Sequence, residues 1–235
     1  MTVTKEKSEA IVAGAPQATQ LAEVDPAIRG LYASRPQPLP FAPSTETRAF
    51  VLEREQGNLL VYSVDGLAGA GPALTALGGV SRHYLNHRHE AMFARDPIAA
   101  PLFTHRDERS AVARSLPVRA TFSRRHLLDR DFEVIPTPGH TSGATAFLWH
   151  NGERRLLFTG DTISLRDEDW LAAVLDSSDR AAYVESLELI RELEFDVLVP
   201  WAATSGGPYH AITTPADARR RIDAILARVR RGEDR

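Results

Sequence analysis

Three short stretches of this sequence carry side chains suited to one chemistry, the holding of a metal ion. The first is His87-Arg88-His89, at the end of a strand-like run from Ser81 to Asn86. In an extended chain residues i and i+2 share a face, so both imidazoles can reach one ion. The second is Thr137-Pro138-Gly139-His140-Thr141-Ser142-Gly143. Its Pro and Gly predict a tight turn that projects His140 from the end of the strand Phe132 to Pro136. Thr141 and Ser142 add hydroxyls that can orient a ring or a carboxylate. The third is Phe158-Thr159-Gly160-Asp161-Thr162, an acid just past an apolar strand, where loops carry ligands. Three neutral imidazoles and one carboxylate suit zinc, iron or manganese. Each residue also has a plainer reading. The His87 and His89 pair can serve as ordinary hydrogen-bonding side chains, and Asp161 can accept backbone N–H groups or cap a short helix.

The chain has no Cys, which excludes disulfides, thiolate nucleophiles and iron–sulfur clusters. Any metal must be held by His, Asp or Glu. Of the 235 residues, 43% are hydrophobic and 25% charged, an ordinary globular balance that argues against a disordered chain. The net charge of -3 gives no basic footprint for nucleic acid, and no run of 18 apolar residues predicts a membrane span. Met1 to Ala10 carry Lys5, Glu6, Lys7 and Glu9 without an apolar run behind them, so a cytoplasmic protein is expected. Gly69-Ala-Gly71 is too short for a phosphate cradle.

The elements that must position these residues fall into two parts. Residues 1–45 hold Pro16, Pro26, Pro36, Pro38, Pro40 and Pro43, and read as an arm running extended over the surface, with room for a short helix near Asp25 to Ala33. Residues 46–235 read as the folded domain. A hairpin is predicted from Arg48 to Val64 through Gln56-Gly57-Asn58, then a short helix from Ala73 to Leu77. Further strands are expected at Leu102 to His105, Val118 to Phe122, Phe132 to Pro136, Ala144 to His150, Arg154 to Thr159 and Asp196 to Pro200. Ser178 to Leu193 has Tyr183, Leu187 and Ile190 on one helical stripe, and Thr214-Pro215 opens a last helix with Ile222, Ile225, Leu226 and Val229 inward. His105 reads as a surface residue with Asp107 starting a helix. His83, His126 and His150 read as structural or solvated, and Trp149, Trp170 and Trp201 as core or pocket wall.

An H-x-H pair after a strand, then TPGHTSG, then TGDT, resembles the metallo-β-lactamase fold superfamily, with glyoxalase II-like hydrolases nearest in motif style. The resemblance spans about residues 46–232. It implies an α+β, four-layer αββα sandwich with metals at one edge. It also implies His87, His89 and His140 as ligands of a first metal, with Asp161 as a bridging carboxylate. The family pattern is H-x-H-x-D-H, whereas this chain reads His87-Arg88-His89-Glu90-Ala91-Met92. A last family His is replaced by the Pro200-Trp201-Ala202-Ala203 stretch. The second metal site therefore lacks its ligands at Ala91, Met92 and Ala202. His210 is a distant substitute, Glu90 a candidate base if a loop turns it inward, and Trp201 a candidate pocket wall.

The expectation is a hydrolase with one divalent metal, zinc favoured and iron open, acting on an ester, thioester or lactone-like small molecule. Asp161 and Glu90 are the catalytic candidates. A degenerate, non-catalytic relative and a mononuclear iron oxygenase are the alternatives. No nucleic acid or membrane partner is expected, and a homo-oligomer is left open.

Overall fold

The computed structural model describes residues 21–94, 96 and 98–234. Part of the expected arm, residues 1–20 with Pro16, lies outside the described residues. The chain runs through β1 (Ala22–Glu23), β2 (Leu31–Ala33), β3 (Gln37–Leu39), β4 (Ala42–Thr47), β5 (Phe50–Leu52) and β6 (Leu59–Val61) to a first helix, α1 (Gly71–Ala76). Then come β7 (Arg82–Tyr84), α2 (His89–Phe93), β8 (Leu102–His105), α3 (Arg109–Val112) and β9 (Val118–Phe122). A run of strands follows: β10 (His126–Leu128), β11 (Phe132–Pro136), β12 (Thr145–His150), β13 (Arg155–Gly160), β14 (Ser164–Arg166) and β15 (Asp169–Leu171). The chain finishes with α4 (Arg180–Arg191), β16 (Val197–Pro200), β17 (Ala202–Thr204), β18 (Ala211–Ile212) and α5 (Pro215–Arg230).

The strands form three sheets. The first has seven strands in the order β1-β2-β5-β6-β7-β8-β9, antiparallel up to β6 and parallel from there. The second is β10-β11-β12-β13-β16-β18, a meander through β13 that then takes β16 in parallel. The third is β15-β14-β17-β4-β3.

Alternation along the strands sets the layers. Phe50, Leu52, Leu59 and Val61 of the first sheet meet Val134, Phe147, Trp149, Phe158 and Val199 of the second in one apolar core. Val51 and Leu60, between them in sequence, face the other way and pack with Leu67 and Leu74 around α1. Leu157 and Leu198, on the far face of the second sheet, pack under Leu187 and Ile190 of α4 and Ile222 and Ile225 of α5. This is the αββα order that the resemblance implies. Because both faces of the central strands are covered, β5, β6 and β16 read as unbroken apolar runs.

Both long helices start on side-chain caps. Asp179 accepts from the Ala182 N–H at 3.1 Å, and Thr214 accepts from the Asp217 N–H at 3.2 Å, with Pro215 in the first turn. The N-terminal segment differs from the expectation. Residues 25–33 form turns and β2 instead of a helix, and the Pro-containing stretch is extended but paired, with β4 bonded to β17. Pro38 is tolerated because β3 is an edge strand. No helix among the described residues is long and apolar enough to cross a membrane.

His83 on β7 is buried, and its Nε2 donates to the Tyr62 carbonyl at 2.8 Å. Burial drives its pKa from 6.5 down to about 4, an effect the hydrogen bond only partly offsets. The unfolded chain therefore binds this proton more readily than the folded one, so stability is lost as pH falls from 6.5 towards 4. His83→Gln keeps a donor but cannot titrate. Its guanidinium midpoint is expected to fall less steeply over that pH range than that of the unaltered protein.

Candidate metal centre

Each candidate ligand stands on a turn just past a strand. After β7 the chain does not stay extended. It bends at Asn86 to Arg88 and enters α2 at His89, so the two imidazoles converge through a turn and not through i, i+2 alternation. Glu90 closes this turn by reaching back from the first turn of the helix. Its Oε1 accepts from the N–H groups of Asn86 at 2.7 Å and His87 at 3.0 Å, and its Oε2 from that of Ser63 at 2.8 Å. His140 follows β11 in a loop closed by Thr137 N–H to Ala144 O at 2.8 Å and Gly139 N–H to Thr141 O at 3.0 Å. Gly139 has φ of 139°, and a Cβ there would overlap the backbone of Tyr183 on α4. Only glycine lets the helix approach this loop. Asp161 follows Gly160, whose φ is 57° and whose missing Cβ makes room for the Asn86 side chain.

The three turns bring four side chains to one point. The donor atoms of His87, His89, His140 and Asp161 all lie within 4.8 Å of one another. Nε2 of His87 is 3.2 Å from Asp161 Oδ2, Nε2 of His140 is 3.6 Å from the same oxygen, and Nδ1 of His89 is 3.0 Å from His140 Nε2. The edges of a tetrahedron around a zinc ion run roughly 3.3 Å. The opposite ring nitrogens of His87 and His140 are engaged elsewhere. His140 Nδ1 donates to the Ala173 carbonyl at 2.6 Å, which leaves a lone pair on Nε2 for an ion. Oδ1 of Asp161 is buried without a hydrogen-bond partner. An orphaned carboxylate oxygen beside three imidazoles fits a cation, and the group can hold a metal ion. The plainer reading of Asp161 as an acceptor of backbone N–H groups does not match this environment.

The protonation pattern separates the three rings. Burial disfavours charge on His87, but the adjacent Asp161 carboxylate and Glu90 lift it to about 9. Burial and the neighbouring His87 and His140 push His89 down to about 3, and burial lowers His140 as well. Burial alone would raise Asp161, yet the surrounding imidazoles hold it below its usual range. Of the three rings only His87 is held towards its charged form, by the carboxylates of Asp161 and Glu90, and a bound cation would have to displace that proton.

Several residues take places other than those expected. Glu90 is fully buried, and backbone N–H groups occupy both of its oxygens, so neither is free to take a proton from water at the cluster. Among the positions of the second site, Ala91 packs with Leu85 and Leu102, Met92 is 68% exposed, and Ala202 sits buried in β17. His210 stays away from the cluster and lies 3.7 Å from Asp25. Trp201 backs His87, with ring centroids 5.3 Å apart, and its Nε1 donates to Ser63 O at 3.0 Å. It is a buried support for that ligand. His105 is buried, not on the surface, and its Nδ1 accepts from the Asp107 N–H at 3.2 Å.

Sequence reasoning missed three supports. Tyr62 donates its hydroxyl to Val199 O at 2.7 Å and accepts from the Gly160 N–H at 2.8 Å. Tyr183 donates to Thr162 O at 2.6 Å and accepts from the Ala173 N–H at 3.0 Å, which joins the Asp161 turn to the segment holding His140. Glu108 is a buried carboxylate between the His87–His89 turn and the His140 loop. None lies in a motif, and their roles arise only from the fold.

With fold and cluster in place, comparison with known proteins defines the class. The family model for the metallo-beta-lactamase superfamily matches residues 61–202, a span that contains all four candidate ligands. The chain belongs to this superfamily. Its fold is similar to that of a metallo-beta-lactamase from Pontibacter korlensis, at 14% identity and a TM-score of 0.63, over 90% of this chain and 99% of that one. A metallo-beta-lactamase from Hirschia baltica gives 12% identity and a TM-score of 0.62, over 88% and 97%. An archaeal superfamily protein from Sulfolobus tokodaii gives 16% and 0.56, over 85% and 87%. No curated protein matches the chain in sequence.

Two substitutions probe the scaffold. Tyr62→Phe leaves the Gly160 N–H and the Val199 carbonyl without their buried partner and should lower stability by about 1–3 kcal/mol in denaturant titrations. Gly160→Ala forces a side chain into Asn86 at a positive φ and should reduce metal uptake, measured by elemental analysis of whatever protein remains folded.

Proposed function

We propose that the chain is a cytoplasmic metal-dependent hydrolase that holds one divalent cation, zinc before iron, through His87, His89, His140 and Asp161. Its substrate is a small molecule with an ester, thioester or lactone-like bond. The observation that carries this reading is the convergence of three imidazoles and a carboxylate with an unpartnered buried oxygen. Membership of a superfamily of metal-dependent hydrolases supports it.

A divalent cation in such a site lowers the pKa of water and polarises a carbonyl. The chain's own residues supply the rest. His140 is held in one tautomer by Ala173 O, and Trp201 and Glu90 fix His87 in place. Asp161 directs Oδ2 at two imidazoles and leaves Oδ1 without a partner, the oxygen that a cation would satisfy. The apolar or buried state of Ala91, Met92 and Ala202 supports a single cation, because no donor stands at those positions.

Protein grown in supplemented medium should carry close to one equivalent of transition metal by elemental analysis. Well under half an equivalent would sink the metal reading. His140→Ala should lose both the metal and any turnover in a thioester and lactone panel. Full metal occupancy with no turnover of any substrate in the panel would favour the non-catalytic alternative.

A further inference from the structure

Two glutamates without exposed surface brace the turn that carries His87 and His89, and they do so differently. Glu108 accepts from the N–H groups of Arg88 at 3.1 Å and Gly143 at 2.6 Å, with the Arg88 guanidinium at 3.4 Å and the Ser142 hydroxyl at 3.5 Å. It touches no imidazole of the cluster. Glu90 holds the main chain of the same turn and also faces Nδ1 of His87 at 3.3 Å. The Nε2 of that ring faces Asp161. The His87 imidazole therefore lies between two carboxylates, one on each nitrogen.

We propose that Glu90 is a positioning residue for the metal, acting through His87. The inference rests on the metal reading above. A carboxylate on Nδ1 keeps the ring proton on that nitrogen, leaves Nε2 as the donor, and stops the ring from turning over. Its negative charge also makes Nε2 a more basic ligand. Charge balance gives a second reason. Glu90 and Asp161 each contribute one negative charge, and one divalent cation neutralises both. With no donor at Ala91 or Met92, a single cation is what this site has to balance its two carboxylates. A buried carboxylate is costly even when backbone N–H groups bond to it, and the place of Glu90 beside a candidate ligand gives that cost a use.

Glu108 supplies the control. Glu90→Gln and Glu108→Gln are prepared alongside the unaltered chain. Each is stripped of metal, its unfolding midpoint is measured, and zinc affinity is read by competition with a chromophoric chelator. Cobalt(II) spectra report the ligand field. Both variants are expected to lower the metal-free midpoint, since each loosens the same turn. Only Glu90→Gln is expected to weaken zinc binding by roughly ten- to a hundredfold and to shift the cobalt bands. Equal weakening in both variants, or unchanged affinity in Glu90→Gln with a lowered midpoint, would reduce Glu90 to a brace and overturn the proposal. If Glu90→Gln does not fold, Glu90→Asp, which keeps the charge but draws it back from His87, is measured the same way. An affinity equal to that of the unaltered chain then overturns the proposal. Failure of the unaltered chain to take up zinc or cobalt overturns the metal reading itself, and this inference with it.

Discussion

Tyr62 joins the two large sheets directly beneath the metal cluster, and the geometry of the cluster follows from that joint. Its hydroxyl bridges Val199 on β16 and Gly160 at the end of β13, and its carbonyl accepts from His83 on β7. Its φ of 68° lies in a region that bulky residues seldom occupy. That turn of the backbone aims the next N–H at Glu90, while the next carbonyl receives the Trp201 indole. Two consecutive residues thus fix strand ends from both sheets, and the turns bearing His87 and Asp161 begin at those ends. Each buried group in this network would cost on the order of 1–3 kcal/mol if left unpaired. The strain at Tyr62 is tolerated because every partner depends on it.

The cluster can hold a metal ion, and the stretch beside it departs from the family pattern. Where the resembling family offers an aspartate and a histidine after the H-x-H pair, this chain turns Ala91 into the core and Met92 outward. Glu90, one position earlier, is drawn in by three backbone N–H groups because α2 begins at His89. The carboxylate has not vanished from this stretch. It sits one residue away, behind a ligand.

How much of this could be read beforehand depended on range. His87, His89, His140 and Asp161 were legible because each sits in a short motif beside an apolar strand, and local turn chemistry places it. Helices α4 and α5 were legible through their caps and apolar stripes. The strands from β1 to β4 were not, because they are short, β3 and β4 carry Pro, and β4 meets β17 only through the fold. The place of Glu90 was misread for a related reason. An extended segment would send it to the opposite face, and only the early start of α2 turns it towards His87. The hydrogen-bonding roles of Tyr62, Tyr183 and Glu108 left no trace in sequence, since nothing local marks the end of a long-range hydrogen bond. His105 was misjudged because its charged neighbours suggested a surface.

The pairing of β4 with β17 bears on how the molecule is made. Thr47 is bonded in register with Ala202, so β4, which has β3 on one side, lacks its second neighbour until β17 has been made. On a ribosome, which adds roughly 5–20 residues each second, β4 and β3 must wait many seconds with their edges open. Closing so long a loop also slows folding compared with a protein built from local contacts. The Pro residues in this stretch then have a second use. A waiting segment that cannot offer a full row of N–H donors is a poor template for pairing with another chain. Synthesis order and edge chemistry are matched, because the strand pair that waits for β17 carries Pro38 and Pro43.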